Sequence, residues 1–260
     1  MKLIFQKIIQ NLNKIFSTFG YTLIIVNNNQ RKINFKNFNF QEKKSINKIL
    51  SLTMVSDENI EFLISAIRYV KKNKIKGYYV ETGIWKGGLS ILSYLTFTNK
   101  NKNKMKFFLF DTFEGMPKPS KYDKKLNKDL SQVFDKWEKK IKTSEGWNLS
   151  PINEVQKNII KLCGKKSLND FNFIKGKVEN TLKIKKNLPK KICLLRLDTD
   201  FYNSTKAELD YLFNKVSKGG IIIFDDYSNW LGAKKAIDDF LKNKKYLLCK
   251  IDNNSRFIIK

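Results

Sequence analysis

Seven short apolar runs punctuate the chain from residue 78 onward, at 78–82, 106–110, 172–175, 192–197, 221–224, 246–251 and 256–259. Most are separated by stretches with helical character, expected at 56–72, 88–97, 205–216 and 232–242. Runs as continuous as "ICLLRL" and "IIIF" suit strands covered on both faces, and strand–helix alternation implies a parallel sheet. The last two runs are separated only by "DNN" and Ser255, which predicts an antiparallel hairpin closing the sheet. Ser56, followed by Asp57 and Glu58, reads as a helix start, because carboxylates in a first turn face the positive end of the helix dipole. A chain of 260 residues holds one α/β domain with a full core.

Two segments break this rhythm. Residues 116–166 are longer than a crossover needs and carry Trp137 and Trp147 among charges. An insertion after a strand's C-terminal end falls beside the ligand crevice of such sheets, so a substrate lid is expected. The plainer alternative is a surface excursion with helices of its own. At the other end, Ile8, Leu12 and Phe19 recur near helical spacing, predicting an amphipathic helix that stops near Gly20. It would pack on its own domain or a partner subunit, or rest on a membrane surface through residues 1–20. No apolar run is long enough to span a bilayer. The asparagine-rich stretch from 27 to about 45 reads as an arm. Residues 1–50 thus form an N-terminal helix and arm, and residues 51–260 the main domain.

The formal net charge of +27 suggests nucleic acid at first, but only four of the 51 basic residues are arginines. Bidentate recognition of phosphates and bases favours arginine, so the lysines read mainly as solvated loops. An RNA-binding protein or RNA methyltransferase using this basic surface is the alternative kept open. The absence of histidine removes Ser-His-Asp and Cys-His catalysis and every histidine metal site. Any general base is then Asp, Glu, Lys, Tyr or water. Three widely spaced cysteines form no disulfide framework or zinc motif, which fits a cytoplasmic location, at the inner membrane face if the N-terminal helix binds lipid.

"YYVETGIWKGGLSIL" reads as strand, glycine turn and helix, yet its glycines match neither a dinucleotide fingerprint nor a phosphate cradle. Glu81 at the strand end would repel a pyrophosphate. It suits a cationic ligand such as the amino group of S-adenosylmethionine. Asp111 ends the next strand, where an acidic residue accepts ribose hydroxyls in related sheets. Further on, Asp198 and Asp200 follow one strand, and Asp225 and Asp226 the next. Neighbouring strand tips bring these carboxylates around one crevice, where like charges raise one another's pKa unless a cation is present. Oxygen-only donors point to Mg²⁺.

With these residues in view, the chain resembles the macrocin O-methyltransferase family, metal-dependent enzymes that methylate sugar hydroxyls, and more distantly the catechol-type O-methyltransferases. The resemblance runs from about residue 51 to the C-terminus, on "SLTMVS", "VETGIWKGG", "FDTFEGMP", "GKVENTL", "LRLDTDFYNSTKAEL" and "GGIIIFDDYSNWLGAKKAIDDF". It implies a Rossmann-like class I methyltransferase fold, a mostly parallel seven-stranded sheet ending in an antiparallel hairpin. Glu81 and Gly83 would hold the methionine part of S-adenosylmethionine, with Met54 and Ser90 nearby, and Asp111 its ribose. Gly176, Val178 and Glu179 would line the adenine pocket. Asp198, Asp225 and Asp226 would ligate Mg²⁺, Asp198 acting also as general base and Asp200 supporting the site or the substrate. The implied acceptor is a small molecule or glycan with vicinal hydroxyls: a glycoside, a nucleotide sugar or a polysaccharide precursor. N-terminal segments of similar proteins often make subunit contacts, so a homo-oligomer is expected.

Overall fold

A computed structural model describes residues 37–98, 105–143 and 146–260. The expected N-terminal helix and most of the arm lie outside the described residues. The arm ends sooner than its composition suggests, because helix α1 spans Phe40–Ile49. Asn39 starts it: the Asn39 side chain accepts from the Glu42 amide at 3.0 Å, and Glu42 Oε2 accepts from the Asn39 amide at 2.9 Å. Two donors that a helix start leaves free are thereby satisfied. Glu42 also receives Arg68 from α2 (Asp57–Lys72), Nε to Oε1 at 3.0 Å, which ties the two helices together.

Strands β1 (Tyr78–Thr82), β2 (Phe107–Asp111), β3 (Phe171–Lys175), β4 (Ile192–Leu197), β5 (Val216–Phe224), β6 (Cys249–Lys250) and β7 (Arg256–Ile259) form one sheet in the order β3-β2-β1-β4-β5-β7-β6. The first five run parallel, and β7 pairs antiparallel with both β5 and β6, as expected for the closing hairpin. Differences lie at the ends. β5 begins at Val216, which pairs with Ile192 before an irregularity in register brings Ile221 opposite Leu194. β6 keeps only two residues at the sheet edge. Helix α3 (Gly88–Thr98) follows β1 and is apolar almost all round, as befits a helix covered by α1 and α2. Lys71 of α2 donates to the Thr96 and Phe97 carbonyls at 3.0 and 3.1 Å, closing its C-terminal end.

Residues 116–166 carry two helices of their own, α4 (Leu130–Ile141) and α5 (Ile152–Cys163). The remaining helices are the short α6 (Val178–Thr181), α7 (Tyr202–Leu212) and α8 (Leu231–Leu241). The 116–166 insertion is seated on Trp230 and Phe201 through Val133 and Trp147. It is pinned by a buried acid: Asp123 Oδ1 accepts from the Tyr202 amide at 2.7 Å, at the start of α7, and Oδ2 from the Ser120 amide at 2.6 Å. Beneath the sheet, Phe107 is wholly buried among Tyr79, Tyr94, Phe97 and Phe171, with ring centroids 5.0–6.2 Å away. Truncating such a ring costs transfer energy plus a cavity. Phe107→Ala is therefore expected to lower unfolding stability by about 3–5 kcal/mol, as read from urea denaturation.

Candidate active site

Register places the functional ends of the strands level with one another. Thr82 is opposite Phe110 and Leu197, Leu197 is opposite Phe224, and Phe110 is opposite Ile174. The residues that follow (Gly83, Gly176, Asp198, Asp225) therefore leave the sheet on one side, beside Asp111 at the tip of β2. Strand order reverses at β1, flanked by β2 and β4, which opens a crevice over its C-terminal end. A cavity of about 400 Å³ lies there. Gly83, at φ +81°, crosses so close to β4 that a Cβ on it would come within 1.9 Å of the Asp198 carbonyl oxygen. Only glycine fits that crossing.

Asp111 organises the turn after β1. Its Oδ2 accepts from the Ile84 amide at 2.6 Å and the Trp85 amide at 3.3 Å, and Oδ1 accepts from the Phe113 amide at 2.7 Å. Burial raises its pKa, against the pull of these amides. Of the other residues expected around a nucleoside-type ligand, Met54, Glu81, Gly83, Gly176, Val178 and Glu179 line the same cavity, whereas Ser90 stands behind Glu81 and hydrogen-bonds its Oε2.

The acidic cluster is built around a residue the sequence did not single out. Arg196, buried in β4, lies 3.1 Å from Glu81 Oε1, 2.6 Å from Asp198 Oδ2 and 2.8 Å from Asp225 Oδ1. Burial opposes its charge, but Asp198, Asp225 and Glu81 together hold its pKa well above the ordinary value. Asp225 Oδ1 also accepts from Asn59 of α2 at 3.1 Å, and Asn59 donates to Ser255 at 2.6 Å. Facing the cavity, carboxylate oxygens of Asp198, Asp200 and Asp226 lie within 4.8 Å of one another. Asp225 stands beside this trio, its Oδ1 turned to Arg196. Asp200 reaches the group from a left-handed backbone, φ +66°. Burial pushes the Asp198 pKa well above the carboxylate range; Arg196 pulls it back, and Asp225 and Asp226 push it up again. Asp200 is raised by burial and by its acidic neighbours. The all-oxygen donors of such a ring fit a hard divalent ion.

Between Asp198 and Asp200, Thr199 donates to Glu208 Oε1 at 2.9 Å. Burial pushes this carboxyl up to about 8, against hydrogen bonds from Thr199 and Thr82. Arg196, Asn59, Asp123 and Glu208 were all missed in the sequence. The one signal available for Arg196 was a charge inside the apolar run "CLLRL", and for Glu208 an acid in the middle of α7.

Two outcomes follow from these partners. Arg196→Met strips the counter-charge from buried Glu81 and from half-buried Asp198 and Asp225, and is expected to cost about 3–5 kcal/mol of stability, measured by chemical denaturation. For Glu208, the folded pKa lies above the ordinary 4.5. Its contribution to stability is complete below that value and is lost as pH rises through about 8. Glu208→Gln should therefore gain on the unsubstituted protein as pH climbs across this window, as followed by melting temperature against pH.

The chain is 27% identical over 178 residues to the 8-demethyl-8-(2,3-dimethoxy-alpha-L-rhamnosyl)-tetracenomycin-C 4'-O-methyltransferase of Streptomyces olivaceus, a match covering 68% of this chain and 62% of that relative, less than two thirds of its length. It is also 27% identical over 193 residues to the demethyldecarbamoylnovobiocin O-methyltransferase of Streptomyces niveus, covering 72% of this chain and 67% of the relative. Among solved structures, the O-methyltransferase NovP superposes with a TM-score of 0.66 at 24% identity, over 80% of this chain and 81% of that one. CalS11, a calicheamicin methyltransferase, gives 0.54 at 17% identity, over 89% and 97%. At these identities the two structures speak for the fold, that of the class I O-methyltransferases. Residues 7–259 match the model of one family, and the chain belongs to it: macrocin-O-methyltransferase (TylF).

Proposed function

We propose that the protein is an S-adenosylmethionine-dependent O-methyltransferase that methylates a sugar hydroxyl with the help of Mg²⁺. One observation carries this reading: the carboxylates of Asp198, Asp200 and Asp226 converge in the same cavity that the glycine turn of β1 opens onto. S-adenosylmethionine would supply the methyl group, and Mg²⁺, when bound, lowers the pKa of a neighbouring hydroxyl. The glycine turn and Met54 would hold the methionine part. Ribose hydroxyls would go to Asp111, in exchange for its long contact with the Trp85 amide, and adenine to the wall formed by Gly176, Val178 and Glu179. Asp198, Asp225 and Asp226 would hold the ion, Asp225 through the oxygen not engaged by Arg196, with Asp200 closing the ring of acids.

Asp198 is the proposed general base. Its Oδ2 is held by Arg196, which leaves Oδ1 for the proton of the acceptor hydroxyl as attack begins. Transfer from a sulfonium to an oxygen nucleophile neutralises charge, so the enzyme contributes chiefly alignment and exclusion of water. Trp147 and Trp230 in the cavity wall serve that exclusion.

Asp198→Asn is expected to lower kcat by roughly 100- to 10,000-fold while the dissociation constant for S-adenosylmethionine, measured by calorimetry, stays nearly unchanged. Near-normal turnover of that variant would refute the assignment. Chelation should abolish methyl transfer and added Mg²⁺ restore it; full activity in excess chelator removes the ion from the mechanism. Mg²⁺ titration of Asp225→Asn and Asp200→Asn tests the ligand set, with the larger loss expected for Asp225→Asn.

A further inference from the structure

Two lysines of the lid share the cavity with the acidic ring. Lys125 Nζ stands 4.7 Å from the centroid of the Trp230 ring and Lys136 Nζ 4.2 Å from that of Trp147. The two rings are themselves 6.1 Å apart. Both lysines are half-buried, and neither has a carboxylate salt-bridge partner among the described residues. Burial lowers the Lys136 pKa, the charges of Lys125, Lys128 and Lys140 lower it further, and Asp200 alone opposes them. Half-buried ammonium groups that repel one another destabilise the site unless an anion enters. An indole face recovers part of that and fixes where each ammonium stands. Asp200 is a poor counter-ion, because it is turned toward Asp198 and Asp226.

We propose that Lys125 and Lys136 form an anion subsite for a phosphate group on the acceptor, so that the sugar hydroxyl reaches Asp198 as part of a phosphate ester and not of a neutral glycoside. The inference rests on the methyltransferase reading above and names the acceptor class for it. Lysine can serve such a subsite, because its compact ammonium meets a phosphate as a point charge with three rotatable donors. Because the ammonium groups cover Trp147 and Trp230, those faces are closed to a stacking base, and recognition falls on the phosphate itself.

The test offers the full-length protein, with S-adenosylmethionine and Mg²⁺, each of several hexoses as the neutral methyl glycoside, the sugar 1-phosphate, the nucleoside diphosphate ester and the polyprenyl diphosphate ester. KM for the phosphorylated forms should fall roughly tenfold or more below that of the glycoside. The Lys125→Met/Lys136→Met double variant should erase that preference, with kcat and affinity for S-adenosylmethionine kept within about twofold. Which ester is best separates a nucleotide carrier from a lipid one. Equal KM for glycoside and esters, or a variant that weakens both alike, overturns the proposal. Titration with inorganic pyrophosphate in excess chelator reads the subsite without catalysis. Binding is expected to weaken roughly tenfold in the double variant, but not in Lys190→Met/Lys191→Met at the far end of the sheet. Pyrophosphate binding without any methyl transfer would sink the catalytic reading alone; no binding, or equal loss in both variants, sinks the subsite.

Discussion

A single guanidinium organises this molecule's chemistry. Arg196 lies inside β4 with Glu81 from β1 on one side and Asp225 from the end of β5 on the other, while Asp198 folds back from its own strand. One buried carboxylate, Glu81, and two half-buried ones, Asp198 and Asp225, come together from three neighbouring strands because one permanent cation sits among them. The same contacts orient the acids. Asp198 and Asp225 each give one oxygen to Arg196, which leaves the other carboxylate oxygen of each for whatever enters the cavity. Stability and function meet in this network, since the residue that neutralises the cluster also aims it.

Around that centre, the fold follows from strand chemistry. β4 is buried along its whole length, so its alternation of side chains places charge and apolar bulk on opposite faces. On one face Leu195 and Leu197 join Leu209 and Leu212 in the core. On the other, Arg196 takes the ion pairs. Burial raises the pKa of several acids in this region, and the shared cause is the wall of protein that takes them out of water.

Much of this architecture was legible in the amino-acid sequence. The apolar runs located the parallel strands, and the short spacer before Arg256 located the hairpin. Strand tips in register then brought Asp198, Asp225 and Asp226 to one end of the sheet. What periodicity does not carry is which oxygen faces which partner. Asp200 joined Asp198 and Asp226 through a left-handed backbone, a conformation no apolar pattern encodes. Asn39 and Glu42 spelled a helix start, but the asparagine-rich surroundings masked it. Arg196 was hidden because a charge in a strand ordinarily marks the solvent side, whereas a central parallel strand has no such side. Asp123 and Glu208 stand alone in sequence, and only tertiary contact reveals their partners.

The 116–166 insertion is joined to the segment after β5 by main chain as well as by packing on Trp230. The Leu126 amide donates to the Asn229 carbonyl at 3.1 Å and the Leu231 amide to the Lys124 carbonyl at 2.8 Å, while Asn229 reaches Asp226 through its side chain. Peptide groups are the same whatever side chains they carry. Main-chain bonds of this kind do not depend on which side chains face the cavity, so exchanging Lys125 or Lys136 need not move the acids beneath.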